Sequence, residues 1–305
     1  MVIDTETHVL LFARNSWVNP HSTRVKHFTW HEHDGDLLVA EMDAAGVDQT
    51  ILISYDAEDI RFSEEHKGFE IGDFAGGRKY TLLQVHRHPE RFHWVSTLKD
   101  AERVDVCAQI DRDLAEGAEG FKLFPAYVYA DLTSPAWTRV FRYLRDQGTR
   151  LLISFETLLP PETYDLETYL GQLRHALDHA EGLPVALLHA GCEDPLAPGR
   201  KFVPEFLRDH PAVVLSMAMP GAVWDDGTEY PYPNLLNRVR ILRDAVGADR
   251  LMWATDWPWF GDRFLYGQGV DCFRLHADFF TPAELHAFMG GTAERFLHVN
   301  GRGGR

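Results

Sequence analysis

Apolar residues gather in eight short runs: Val2–Thr7, Thr50–Ser54, Phe92–Thr97, Gly120–Phe124, Leu151–Phe155, Pro184–His189, Ala212–Met217 and Leu251–Thr255. Most are continuous rather than alternating, as strands buried on both faces must be. Between them, apolar positions recur at helical spacing in Leu37–Ala45, Lys79–His86, Val104–Ala115, Trp137–Arg145, Leu166–His179, Phe202–Asp209, Leu235–Ala245 and Phe273–Phe280. Ser134-Pro135 sets a capping hydroxyl before a proline suited to a first helical position. Thr281-Pro282-Ala283-Glu284 reads as a capping box. Strands alternating with helices predict a parallel sheet of the α/β class, and eight strands is the count that closes into a (β/α)8 TIM barrel. The rival, an open doubly wound sheet, calls for a glycine-rich phosphate turn after its first strand. Glu6-Thr7-His8 stands there instead.

No Pro/Ser-rich linker and no repeat divides the chain, so residues 1–305 read as one domain, with a mobile tail over 301–305. The long connection Leu10–Asp34, rich in aromatics and histidine, is expected to act as a lid.

Composition narrows the function. Lys and Arg number 30 against 46 acids, a net charge of −16, and no basic face of the kind nucleic acids require is evident. No apolar run approaches the roughly 20 residues of a membrane helix. The opening MVIDTETHVL has no basic region and is not expected to be a secretory signal. Cys107, Cys192 and Cys272 are far apart with no CxxC, which suits a reducing cytoplasm. The expected partner is a small molecule, with neither nucleic acid nor membrane, and a homodimer is the expected assembly if the chain self-associates.

In a barrel of this kind, reactive groups lie at the C-terminal ends of strands. Glu6 and His8 close the first strand two residues apart, so both project from one face and make half of a metal site. Asp4, on the same alternation, reads as a partner that orients a ligand. His189 and Asp256 each end an apolar run, and a carboxylate there is costly to bury unless paired or metal-bound. Lys122 lies inside the fourth strand; facing inward it needs an anionic partner, facing outward it only snorkels past a helix. Glu156 ends the fifth strand beside Ser154 and is either a metal ligand or a surface acid. Trp17, Trp30, His33, Tyr55, Trp94 and Trp257 fall in loops or near strand ends and are expected to touch a flat or aromatic substrate. His86-Arg87-His88, just before the third strand, and the His175/His179 pair, on a solvated helix face, lie away from the strand ends, whereas His31-Glu32-His33 reads as a lid segment or helix lead-in from which His33 still reaches substrate. The chain has no GxSxG elbow, no P-loop and no GxGxxG at a strand–helix junction, which removes the usual supports of serine hydrolases, kinases and nicotinamide dehydrogenases.

In their order and spacing, several segments resemble the amidohydrolase superfamily, in its amidohydrolase-related branch of hydrolases, lactonases and decarboxylases. Ile3-Asp4-Thr5-Glu6-Thr7-His8 is similar to the first-strand signature, with E-x-H in place of the usual H-x-H. Met42-Asp43-Ala44-Ala45-Gly46-Val47-Asp48, Leu188-His189-Ala190-Gly191, Arg250–Pro258 and Gly290–Phe296 resemble the family's first helix, sixth strand, eighth strand and closing helix. The resemblance implies one divalent ion, zinc or manganese, with Glu6 and His8 as ligands, Asp256 as ligand or general base, and His189 as the acid–base residue. Family members commonly add a histidine from the fifth strand; none stands here, so Glu156 completes the shell, or the ion is loosely held or absent. An oxygen-rich shell tolerates manganese better than a histidine-rich one does.

The leading expectation is metal-dependent hydrolysis of a small amide, lactone or related ester, with Asp256, His189 and Lys122 as catalytic groups. Non-oxidative decarboxylation of an aromatic or unsaturated acid is the alternative, favoured by Glu6 in the E-x-H signature. A metal-free lactonase-like enzyme or a non-catalytic binding barrel stands third.

Overall fold

The computed structural model describes residues 1–9, 33–54, 77–128, 130–155, 165–218, 229–258 and 265–298, with the backbone of 17–18 and 25–26. Eight parallel strands form one sheet in sequential order. They are β1 (Ile3–Thr7), β2 (Gln49–Ile53), β3 (Phe92–Thr97), β4 (Gly120–Leu123), β5 (Leu151–Ile153), β6 (Val185–Leu187), β7 (Val213–Ala218) and β8 (Leu251–Ala254). The last strand returns to the first. Thr7 bridges Trp257 in parallel, Asp256 N donates to Glu6 O at 2.9 Å, and His8 N donates to Trp257 O at 2.8 Å. The barrel of the sequence expectation is therefore present, each strand within two residues of its expected ends.

Helices cross from strand to strand: α1 (Gly35–Ala45), α2 (Gly77–Arg87), α3 (Val106–Ala115), α4 (Pro135–Asp146), α5 (Leu166–Asp178), α6 (Phe202–Asp209), α7 (Pro233–Val246) and α8 (Tyr266–His276). Local chemistry starts several of them. Asp34, Asp105, Ser134 and Asp165 accept backbone N–H bonds at the heads of α1, α3, α4 and α5. The Thr281–Glu284 capping box opens α9 (Pro282–His286), which continues through one π-turn into α10 (Thr292–His298).

Helix α8 differs from expectation. The apolar spacing predicted Phe273–Phe280, but the helix begins at Tyr266 and ends at His276. Gly267 and Gly269 lower the helical signal of its first turn. The turn is held from outside by Trp253 Nε1, which donates to Gly269 O at 3.2 Å. Phe280 leaves the helix to stack on Phe288, ring centroids 5.2 Å apart.

Strand alternation divides the core in two. Ile3, Ile51, Ile53, Val95, Leu152, Ala186, Leu188 and Met252 pack inside the barrel with Phe296 and Leu297 of α10. Gly290 lets this closing segment touch the start of β1, since a Cβ there would lie 2.3 Å from Met1 O. Trp94, Phe121, Trp137, Phe141, Trp253 and Phe273 fill the layer between sheet and helices. The expected lid, Leu10–Asp34, lies outside the described residues except for His33, Asp34 and an antiparallel pair, Trp17–Val18 with Val25–Lys26. The tail 301–305 lies outside them too. Among the described residues, no helix is long and apolar enough to cross a membrane.

Candidate active site

The C-terminal mouth of the barrel gathers side chains from β1, β4, β6 and β8. A register irregularity between Asp4 and Thr7 in the β1–β2 pairing breaks the strict alternation of β1. Glu6 and His8, two residues apart, still share a face and project into the barrel, and the irregularity separates Asp4 from them. Asp4 instead bonds Thr255 and Tyr266 of α8, not the ligand-bearing face that strict alternation predicted.

Glu6 is fully buried, and Lys122 Nζ of β4 donates to its Oε1 at 2.5 Å. Lys122 thus faces inward, and its ammonium also lies 4.3 Å from the centre of the Phe124 ring. His189 Nε2 stands 3.6 Å from the same Glu6 oxygen. Burial alone would push the Glu6 carboxyl upward; Lys122, His189 and His8 together outweigh it and hold the group well below the usual carboxylate range. Glu6 Oε2 is buried and has no hydrogen-bond partner among the described residues. An orphaned anionic oxygen at such depth wants a cation or a donor.

His8 is oriented from behind. Its Nδ1 lies 3.2 Å from Ile53 O, and because a carbonyl only accepts, Nδ1 carries the proton. In the neutral ring Nε2 then offers a lone pair towards Asp256 Oδ1 at 3.3 Å and Glu6 Oε1 at 4.0 Å. The donor atoms of Glu6, His8 and Asp256 all lie within 4.8 Å of one another. Two ligands of a tetrahedral site with arms of about 2.0–2.2 Å sit about 3.4 Å apart, which the His8–Asp256 pair matches. The chemistry of this donor set and the bare Glu6 oxygen fit a divalent ion.

The two residues that follow β6 and β8 share an unusual backbone. His189 has φ 51° and Asp256 φ 60°, the left-handed region that disfavours residues with a Cβ. Around His189 the conformation persists through Ala190, Gly191 and Cys192. Strain of this kind is tolerated where the surroundings fix a side chain in a required direction.

The other sequence candidates divide. Trp257 is buried, and its ring meets that of His33 edge-on at 5.2 Å, beside Asp256. Trp94 lies elsewhere: Val95 takes the inward position, so Trp94 points to the helices, under the Arg78 guanidinium at 5.5 Å. Glu156, Trp30, Tyr55 and the Trp17 side chain lie outside the described residues. Sequence reasoning passed over Thr255 and Tyr266, which bond Asp4; Thr255 lies within the eighth-strand segment, where Asp256 drew the attention, and Tyr266 carries no motif that marks it.

The family model described as Amidohydrolase matches residues 3–299. The chain belongs to the amidohydrolase family. The resemblance read from the strand-end motifs is therefore borne out. No curated protein matches this amidohydrolase in sequence. Solved structures share its fold at low identity. A candidate 2-pyrone-4,6-dicarboxylic acid hydrolase of Pseudomonas putida is 18% identical over 98% of both chains, with a TM-score of 0.68. An amidohydrolase of Burkholderia multivorans with bound zinc is 17% identical over 98% of this chain and 99% of its own, TM-score 0.68. The 5-carboxyvanillate decarboxylase of Sphingomonas paucimobilis is 17% identical with the same coverage, TM-score 0.62.

Proposed function

We propose that this amidohydrolase hydrolyses a small lactone, amide or related ester with the help of one divalent ion, zinc or manganese, held by Glu6, His8 and Asp256. The convergence of those three donors on one buried point carries the reading. An ion there supplies Lewis-acid polarisation of a carbonyl and lowers the pKa of water. Asp256, whose side chain is the most exposed of the group at 12%, takes the proton of the attacking water and delivers it to the leaving group. His189, 3.6 Å from Glu6, steadies negative charge developing on the carbonyl oxygen. Lys122 keeps Glu6 ionised and adds positive potential to the same pocket. The His33 and Trp257 rings at the mouth favour a flat substrate.

Decarboxylation of an aromatic or unsaturated acid is the second reading. The acidic Glu6 in place of a first-strand histidine favours it, and His189 would then protonate the ring carbon. The solved neighbours include both a hydrolase name and a decarboxylase name.

One experiment separates the readings. Purified protein is analysed for metal, then assayed after chelation and after zinc or manganese add-back against lactones, esters, amides and aromatic acids. Hydrolysis that falls on chelation and returns on add-back supports the first reading, and carbon dioxide release supports the second. Turnover indifferent to chelation removes the ion. No turnover with any ion leaves a binding barrel.

A further inference from the structure

Asp256 must hold a left-handed backbone, φ 60°, while its carboxylate reaches His8. Aspartate tolerates that conformation better than most residues with a Cβ, but tolerance alone does not aim its carboxylate at His8; the neighbouring bonds do. Those bonds converge on Asp4, a fully buried carboxylate that touches no residue of the candidate cation site through its side chain except the backbone of Glu6. Its Oδ1 accepts from Thr255 N at 2.9 Å and from Glu6 N at 3.3 Å. Its Oδ2 accepts from Thr255 Oγ1 at 2.5 Å and from Tyr266 OH at 3.0 Å. The Thr255 hydroxyl, having given its proton to Asp4, accepts from Trp257 N at 3.1 Å. Both residues flanking Asp256 are thus tied to one buried anion, and the backbone N–H of Asp256 itself is held by Glu6 O.

We propose that Asp4 is a positioning residue: acting through Thr255 and anchored by Tyr266, it locks the turn that aims Asp256 at His8. Four donors leave the carboxylate no freedom to rotate, and Tyr266 brings α8 into the arrangement, so the helix behind the sheet sets the geometry of the mouth. The zinc arm of the test rests on the cation reading given above; the other arm does not.

The decisive pair is Thr255→Val and Thr255→Ser. Valine removes the hydroxyl at nearly constant volume, breaking the bonds to Asp4 and Trp257 together, whereas serine keeps them. Two readouts are taken beside the melting temperature: zinc affinity by calorimetry, and the NMR signal of the His8 ring in metal-free protein, assigned with His8→Gln. Thr255→Val is expected to weaken zinc binding about tenfold or more and to move the His8 signal in the direction seen for Asp256→Asn. Thr255→Ser is expected to match wild type in both. Should Thr255→Val fail to fold, Tyr266→Phe removes another donor to Asp4 and keeps the ring, with smaller shifts of the same sign expected. A lowered melting temperature with zinc affinity and His8 signal both unchanged overturns the proposal, since the network would then serve stability alone. If wild type binds no zinc, the cation reading fails, and the His8 signal by itself decides: moved in Thr255→Val, it supports the positioning role; unmoved, it ends it.

Discussion

Lys122 Nζ lies 2.5 Å from Glu6 Oε1, an ion pair drawn across the barrel between β4 and β1 with neither partner in contact with solvent. Removing one member of a buried pair strands the other charge, at a cost of about 3–5 kcal/mol. Lys122→Met is therefore expected to lower the unfolding free energy of metal-free protein in urea by about that amount. The same change frees Glu6 for a cation. Added zinc should restore more stability to Lys122→Met than it adds to wild type, because binding to the native state alone stabilises it. Equal stability of the two metal-free proteins would show that the pair contributes nothing.

The backbone of His189 makes a prediction that inverts a common rule. Alanine normally outperforms glycine in a folded chain, but at φ 51° the Cβ itself is the burden, about 1–2 kcal/mol. His189→Gly should melt above His189→Ala. Both should lose about 10²–10⁴-fold in turnover if the imidazole moves a proton. An alanine variant more stable than the glycine one would mean that the turn relaxes once the imidazole is gone.

Much of this architecture is legible before any coordinates. Continuous runs such as Leu151–Phe155 and Leu251–Thr255 are what doubly buried strands look like, and strand ends single out His8, His189 and Asp256. Strand-end position was enough to bring these three to one mouth, because a barrel presents its strand ends on one face. Position alone fails where geometry departs from regularity. The irregularity after Asp4 turns that residue away from Glu6 and has no sequence signature. Trp94 stood on the strand near the mouth, but its neighbour Val95 took the inward face. The Glu6–Lys122 contact joins strands that no spacing rule relates, and left-handed φ values at non-glycine residues are only weakly signalled by residue type. The start of α8 was hidden by its own glycines.

Placing Trp94 behind the sheet has a consequence for substrate binding. Trp94→Phe removes volume from the sheet–helix layer and leaves a smaller ring under Arg78, so it should cost about 1–3 kcal/mol of stability and leave KM and kcat unchanged. A several-fold rise in KM at unaltered stability would return Trp94 to the substrate pocket.

Asp194 offers a pH test on the segment that follows His189. Arg238 of α7 grips its carboxylate with two bonds, 2.8 and 2.9 Å, and Lys201 Nζ holds its carbonyl at 3.0 Å. Next to it, Glu193 accepts from Phe202 N and Val203 N and ties the segment to α6. The Arg238 hydrogen bonds hold the Asp194 carboxyl below its ordinary value, outweighing the upward push of partial burial. A group depressed in the folded state contributes stability above its unfolded value, about 3.9, and loses that contribution as pH falls through the folded value. Asp194→Asn should accordingly be less stable than wild type at pH 7, by about 1–2 kcal/mol, the lower part of the range for charged hydrogen bonds because the carboxylate is part-exposed. The gap should close as both proteins are unfolded at successively lower pH below about 4. A gap that stays constant down to pH 3 would locate the loss in packing rather than in the ion pair. Because this segment begins at His189, a drop in turnover that follows the same pH course would tie the pair to the aim of the imidazole as well as to the fold.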